Sequence, residues 1–312
     1  MLEIATGQDV GPYTVTRFIG RGAFAQVFRA EDSLGRPVAL KFGDDSGGGR
    51  QLKRFSRLRK SPMPGGINRD EAPAEAFFMD PVSGPRAEIL DASEIDRMLL
   101  AEAEILLVGQ GKGVVGLREV VEKNQRPVLV LDYLRGENLR ARVRRQEGIK
   151  LSWLVEVLRI IEFRLDSGLW ICHGDLKPEN IFVGLEEEIT LLDPVPATER
   201  EDQIVATPQY NPFLRHDAKG DAQALAIMLY ELLCGGVPFA DTPWALAGLD
   251  SQRVDPEQRS LSLSFFLSYP RPREVNTRTP REIERAIFLA LCDEAYGLQE
   301  LRLDLENFLL RR

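Results

Sequence analysis

The segment His173-Gly174-Asp175-Leu176-Lys177-Pro178-Glu179-Asn180 decides how this chain is read. Apolar runs bracket it, Leu169-Trp170-Ile171-Cys172 before and Ile181-Phe182-Val183 after, so the octapeptide reads as a short loop between strand-like flanks. On that loop Asp175, Lys177 and Asn180 offer a carboxylate, an ammonium and an amide oxygen. Further on, Ile189-Thr190-Leu191-Leu192 ends on Asp193. An acid closing an apolar strand suits a hard divalent cation, which takes oxygen ligands.

Towards the N-terminus, Tyr13 to Phe42 alternates apolar and polar residues in three runs, broken at Gly20-Arg21-Gly22 and Gly35-Arg36. This predicts consecutive antiparallel strands rather than crossover units. Glycine at 20 and 22 lets the backbone approach a phosphate without a Cβ in the way. No helix follows these glycines, so a dinucleotide-binding fingerprint fits poorly. Lys41, in Val38-Ala39-Leu40-Lys41, is flanked by apolar strand residues, and a buried ammonium needs an anion beside it. Ser93 to Val108 has helical spacing with Ser93 as the expected cap, and Glu102 on that helix is the candidate partner, with Glu104 as the rival. Taken singly, each feature has a plain alternative: a glycine hairpin, or a strand lysine reaching water.

Two further strands are expected around Gly116-Lys123 and Arg126-Leu134, joined through Asn124 to Pro127. Past Leu134 the pattern turns helical, over Ser152–Gly168, Asp221–Cys234, Pro280–Cys292 and Leu298–Leu310. Between Lys41 and the Glu102 helix lies an insertion, about residues 43–92, too poor in apolar residues for a core of its own. Its Arg50-to-Lys60 run is basic without an acid, and Leu52, Phe55 and Leu58 give it a weak apolar stripe if helical. A small hairpin is expected around Pro81-Val82-Ser83-Gly84. The basic run offers a docking surface for an acidic partner; the plainer reading is a solvated face.

Composition narrows the classes. The chain has 312 residues, 44% of them hydrophobic, which suits a folded protein with a sizeable core. Forty Lys and Arg against 48 Asp and Glu give a net charge of −8, against a dedicated nucleic-acid binder. Cys172, Cys234 and Cys292 are too few and too scattered for a disulfide framework or zinc site. The longest apolar run, Leu225 to Cys234, is too short for a membrane span, and the N-terminal residues lack a signal-peptide pattern, so a soluble, cytoplasmic protein is expected.

The order of glycine loop, Val-Ala-Leu-Lys, helical Glu102, His-Gly-Asp-Leu-Lys-Pro-Glu-Asn and Leu-Leu-Asp resembles the eukaryotic-like Ser/Thr protein kinase family, in a bacterial, divergent form lacking the Arg before the catalytic Asp. Thr207 to Pro212 and Asp221 to Phe239 extend the resemblance into the second half. It implies an α+β, two-lobed protein-kinase-like fold: an antiparallel N-lobe sheet with its control helix over 1–131, and a mainly α-helical C-lobe over 132–312. It also implies ATP and Mg²⁺ as cofactors and the Ser or Thr hydroxyls of a protein as substrate.

By the same resemblance, Gly20, Gly22 and Val27 cover the nucleotide and Ala39 lines the adenine pocket. Leu131 takes the gatekeeper position; Asp132, Tyr133 and Leu134 form the hinge; Asn138 contacts ribose; Phe182 lies beneath adenine. Lys41, paired with Glu102, holds phosphates; Asp175 accepts the substrate proton; Lys177 steadies the transferred group; Asn180 and Asp193 hold Mg²⁺. Asp221 supports the catalytic loop from below.

Three departures stand out. Gly174 replaces the Arg that receives a phosphorylated activation loop, which implies activity without loop phosphorylation. Asp193-Pro194-Val195 replaces Asp-Phe-Gly, and Asn211-Pro212-Phe213 replaces Ala-Pro-Glu, without the Glu that pairs with a C-lobe Arg. Two rivals therefore stay open, a pseudokinase scaffold and a small-molecule kinase of the aminoglycoside or choline type.

Overall fold

The structure, a computed structural model, describes residues 4–22, 24–44, 91–109, 111–145, 147–195, 207, 209–212, 215–238 and 270–311, with the backbone of 54–56, 87–88 and 203–205. Its first half is a sheet in the order β1 (Asp9–Val10), β2 (Tyr13–Arg21), β3 (Ala25–Glu31), β4 (Pro37–Gly43), β8 (Arg126–Asp132), β7 (Leu117–Lys123), antiparallel throughout. Asn124 and Gln125 join β7 to β8 at φ 51° and 62°, as a two-residue hairpin requires.

Side-chain alternation explains what each face does. On β4, Val38, Leu40 and Phe42 enter an apolar cluster with Val10, Val15, Phe28, Val128 and Val130. Ala39 and Lys41 take the opposite face, towards α1 (Ala92–Val108), whose Leu99, Ala103 and Leu106 belong to the larger core. Register pairs Lys41 with Val27 and Leu129, and Ala39 with Leu131, so these five side chains share one surface. The β period thus delivers one ammonium into an otherwise apolar face.

The cap of α1 is one difference from the sequence reading. Asp91, not Ser93, is the N-cap: its carboxylate accepts from Glu94 N–H at 2.8 Å, and Glu94 returns the contact to the Asp91 amide. In Asp-Ala-Ser either residue could cap, and the carboxylate with Glu94 three residues on prevails. Arg126 clamps Asp96 with two nitrogens, at 2.8 and 3.0 Å, fixing α1 against β8.

The second half is helical around a small sheet of β9 (Gly136–Asn138), β10 (Ile181–Gly184) and β11 (Ile189–Leu191). Its helices are α2 (Leu139–Arg144), α3 (Leu151–Asp166), α4 (Ala218–Cys234), α5 (Pro272–Val275), α6 (Arg281–Cys292) and α7 (Leu298–Leu310). α4 is buried from Lys219 to Glu231, as expected of a helix apolar on every side. Its Lys219 ammonium donates to the carbonyls of Ala290, Asp293 and Tyr296 at 2.7–2.8 Å, closing the C-terminal end of α6. Among the described residues no helix is long and apolar enough to cross a membrane.

A third sheet has the order β12-β5-β6: β5 (Arg54–Ser56) lies between β12 (Gln203–Val205) and β6 (Ala87–Glu88). This corrects the helical alternative for the basic run, because Phe55 sits in a strand. Leu52, Leu58 and the expected hairpin around Pro81–Gly84 lie outside the described residues.

Candidate active site

Three separate elements converge on Lys41 Nζ. It donates to both Glu102 oxygens, at 2.6 and 2.7 Å, and to Asp193 Oδ1 at 2.8 Å. Lys41 and Glu102 are buried, whereas Asp193 is half-exposed. Burial alone would push the ammonium's pKa down, but Asp193 and Glu102 outweigh it and hold it above its ordinary value. Burial pushes Glu102 up to about 7 against the pull of Lys41. For Asp193 the order reverses: Lys41 overrides desolvation and keeps the carboxyl below its usual range. The rival Glu104 is exposed on the far side of α1. Asp193 has φ 53°, the left-handed region that Asp tolerates better than most residues. The Phe24 ring lies 5.3 Å from Lys41 Nζ.

The loop from His173 to Asn180 is held from below and from within. Asp221, on α4, accepts from the amides of His173 (2.6 Å) and Gly174 (3.0 Å), while burial pushes its pKa up to about 7. His173 is fully buried: Nε2–H donates to Leu192 O at 2.9 Å, and Nδ1 faces the Asp175 amide at 3.4 Å. Acceptance at Nδ1 needs the neutral ring, and burial lowers the pKa to about 4. Asp175 collects three neighbours: Lys177 Nζ at 2.5 Å, the Thr207 hydroxyl at 2.7 Å and Asn180 Nδ2 at 3.2 Å. Asn180 Nδ2 also donates to Asp175 O at 2.8 Å, which turns its amide oxygen the other way.

Gly174 is required by its backbone. Its φ is +83°, and a Cβ there would lie 2.8 Å from His216 Cε1 and 3.1 Å from Val195 Cβ. An Arg at this position would be strained by its backbone conformation and would have to displace the His216 side chain. The absent Ala-Pro-Glu glutamate has a counterpart of reversed sign: Arg215, just past the segment, pairs with Glu294 at 2.8 Å.

The residues expected around adenine divide. Val27, Ala39 and Leu131 share the Lys41 face of the sheet, Leu134 packs on the same core, and a Cβ at Gly20 would meet nothing within 4 Å. A Cβ at Gly22 would meet only Ala25 O, at 3.6 Å, while its amide closes the hairpin on that oxygen at 2.7 Å. The Asp132 amide donates to Gly116 O, and its carboxylate accepts from Arg118. Phe182 pairs with Asn138 across β10 and β9. Asn138 does something the sequence did not suggest: its side-chain oxygen caps α2, accepting from Ala141 N–H at 3.0 Å.

Two contacts escaped sequence reasoning. One is Thr207 on Asp175. The other is Arg140, at the start of α2, which donates to Glu179 (2.8 Å) and Glu231 (2.6 Å) and touches the Tyr210 hydroxyl. Tyr210 O–H in turn donates to Glu231 at 2.7 Å. The cluster links α2, the catalytic loop, the Thr207–Pro212 segment and α4. Its only sequence signal was the position of Glu179 and Tyr210 inside motifs already singled out.

Residues 87–279 match the protein kinase domain, so this chain belongs to that family. It is 27% identical over 254 residues to CBL-interacting protein kinase 16 of Oryza sativa subsp. japonica, covering 76% of this chain and 46% of that protein. It is 26% identical over 269 residues to the serine/threonine-protein kinase PknE of Mycobacterium tuberculosis, covering 81% of this chain and 40% of that one. The chain thus spans less than half the length of these curated relatives. Among solved structures, the apo form of PpkA-294 matches with a TM-score of 0.64 at 19% identity, over 97% of this chain and 99% of that one. The Mycobacterium tuberculosis PknI kinase domain matches at 0.59 and 14%, over 98% and 99%. These two likenesses bear on the fold: an antiparallel N-lobe sheet with a helical C-lobe.

Proposed function

We propose that this chain is an active Ser/Thr protein kinase that uses ATP and Mg²⁺ and needs no phosphate on its activation segment. The observation that carries the reading is the closed contact of Lys41 with both Glu102 and Asp193. A scaffold that had lost transfer has no need to bury this ion pair, whose desolvation is costly.

The residues fit the cofactors they are expected to hold. Asn180 Oδ1 and the half-exposed Asp193 carboxylate are hard oxygen donors suited to Mg²⁺, and the open space above Gly20 suits phosphate oxygens. Bound Mg²⁺–ATP supplies the phosphoryl group and the charge neutralisation for its transfer. Lys41, kept cationic, holds phosphate oxygens, and Glu102 fixes its position. Asp175 orients the acceptor hydroxyl and takes its proton, with Thr207 and Lys177 restricting the carboxylate's rotation. Lys177 offsets charge on the transferred group. Independence from phosphorylation rests on Gly174, which offers no side chain to receive a phosphate and whose φ of +83° favours glycine over Arg. Protein Ser and Thr hydroxyls are the substrate class by the relatives' description. A reducing cytoplasm accords with the three free cysteines.

Transfer from labelled ATP with Mg²⁺ to a generic protein substrate tests the reading. Incorporation above an Asp175→Asn control supports it. Incorporation equal to that control removes the enzyme reading and leaves the scaffold, whose nucleotide binding a thermal shift with ATP then measures.

A further inference from the structure

The basic insertion and the segment after Asp193 meet in the β12-β5-β6 sheet. β5 pairs antiparallel with β12 in the register Gln203↔Ser56, Ile204↔Phe55, Val205↔Arg54, and with β6 through Arg54↔Glu88 and Phe55↔Ala87. These strands come from opposite ends of the kinase motif order, so the pairing is a tertiary contact made by backbone amides and carbonyls. A second observation is Gly174, which removes the usual cationic anchor for a phosphorylated activation segment.

We propose that the insertion, through β5, holds this chain's own activation segment by strand pairing in place of a phosphate–Arg contact. The statement rests on the kinase reading for the name of that segment and for its effect on rate, but not for the pairing itself. A strand is an effective tether because each added residue brings backbone hydrogen bonds whatever its side chain. The insertion then acts as a fixed cis element, present from synthesis and needing no modifying enzyme.

The experiment uses the full chain. In β5, the central strand, successive amides point to opposite neighbours, so Arg54→Pro/Phe55→Pro removes a donor from each side. Arg54→Thr/Phe55→Val keeps both amides. Amide hydrogen exchange across 203–205 is read in each, beside the phosphoryl-transfer rate and the global unfolding temperature.

The expected result is exchange at 203–205 at least about tenfold faster in the proline variant, with protection kept in the Thr/Val variant. The unfolding temperature is unchanged, and transfer is slower by about tenfold. Equal exchange in the wild type and the proline variant overturns the proposal, as does faster exchange with an unchanged transfer rate. A wild type that transfers no phosphate, yet shows the exchange difference, removes the kinase reading and leaves the pairing standing.

Discussion

The Thr207 hydroxyl donates to Asp175 Oδ1 at 2.7 Å and accepts from Lys177 Nζ at 2.9 Å, so one side chain of the activation segment closes a three-membered ring with two of the catalytic loop. Lys177 completes it by donating to Asp175 Oδ2 at 2.5 Å. Both carboxylate oxygens are therefore fixed, and the side chain cannot swing away from an incoming hydroxyl. Thr207→Ala is expected to lower kcat by about tenfold, the worth of one hydrogen bond to a charged group, while Thr207→Ser keeps most of it. Steady-state kinetics on both variants checks this. Equal losses would mean the methyl group, not the hydroxyl, matters.

Removing Lys41 separates activity from stability. Lys41→Met is expected to cut transfer by about a hundredfold or more. It also leaves Glu102 buried, with its pKa already raised above the unfolded value and now without its cation. A carboxyl whose folded pKa is raised contributes stability at low pH that is lost as pH rises through that pKa. Denaturant unfolding of Lys41→Met should therefore show stability falling from about pH 4.5, where the unfolded carboxyl ionises, up through about pH 7. Lys41→Met/Glu102→Leu should remove that fall and remain inactive. A pH-flat single variant would contradict the assignment to Glu102.

Arg140 serves four elements at once. Arg140→Ala leaves Glu231 and Tyr210 facing each other in a nearly closed site, and a loss of about 3 kcal/mol is expected. Arg140→Met/Glu231→Met should lose less than the single variant, because the buried Glu231 carboxylate is then not stranded and the Glu179 carboxylate it leaves behind is partly exposed to water. Urea titrations of both give the comparison. A double variant worse than the single would show that the network is worth more than its removal.

His173 sets an acid limit. Its folded pKa is about 4, below the ordinary value for a histidine near 6.5, so the unfolded chain binds the extra proton first. Its stability contribution is complete above about pH 6.5 and is lost as pH falls towards 4, by on the order of 2 kcal/mol at about pH 5. Asp221, with its pKa raised to about 7, works in the opposite sense over part of that range. The diagnostic is thus the difference between wild type and His173→Asn: the variant's stability should decline less between about pH 6.5 and about pH 5. Parallel declines would mean that His173 is not the group responsible.

What the sequence disclosed, and what it withheld, follows contact range. Lys41, Glu102, Asp175, Asn180 and Asp193 stood out because each is a polar residue forced into an apolar run or a tight loop, which local pattern reveals. The strands from Tyr13 to Phe42 were legible for the same reason. The Asp91 cap was missed because Asp91 and Ser93, two residues apart, compete on equal terms. Thr207, Arg140 and the β5–β12 ladder were hidden for a different reason. Their partners lie far away in the chain, and no local periodicity encodes which distant hydroxyl, carboxylate or strand will arrive. Asn138 carries a role its pattern did not suggest: besides the ribose contact the resemblance implies, its side-chain oxygen caps α2.

The alternation in β4 sets a map of where this chain tolerates a change of length. Some fifty residues separate Gly43 from Ala92, with the Lys41–Glu102 contact intact across them. A single deletion between Pro37 and Lys41 would send the ammonium into the cluster of Phe28 and Val130 and put Phe42 in its place opposite Glu102. Indels are therefore admitted beyond Gly43, outside the β5 ladder, and not before it. A library of one-residue deletions scanned across this boundary should show activity stop and resume at that point.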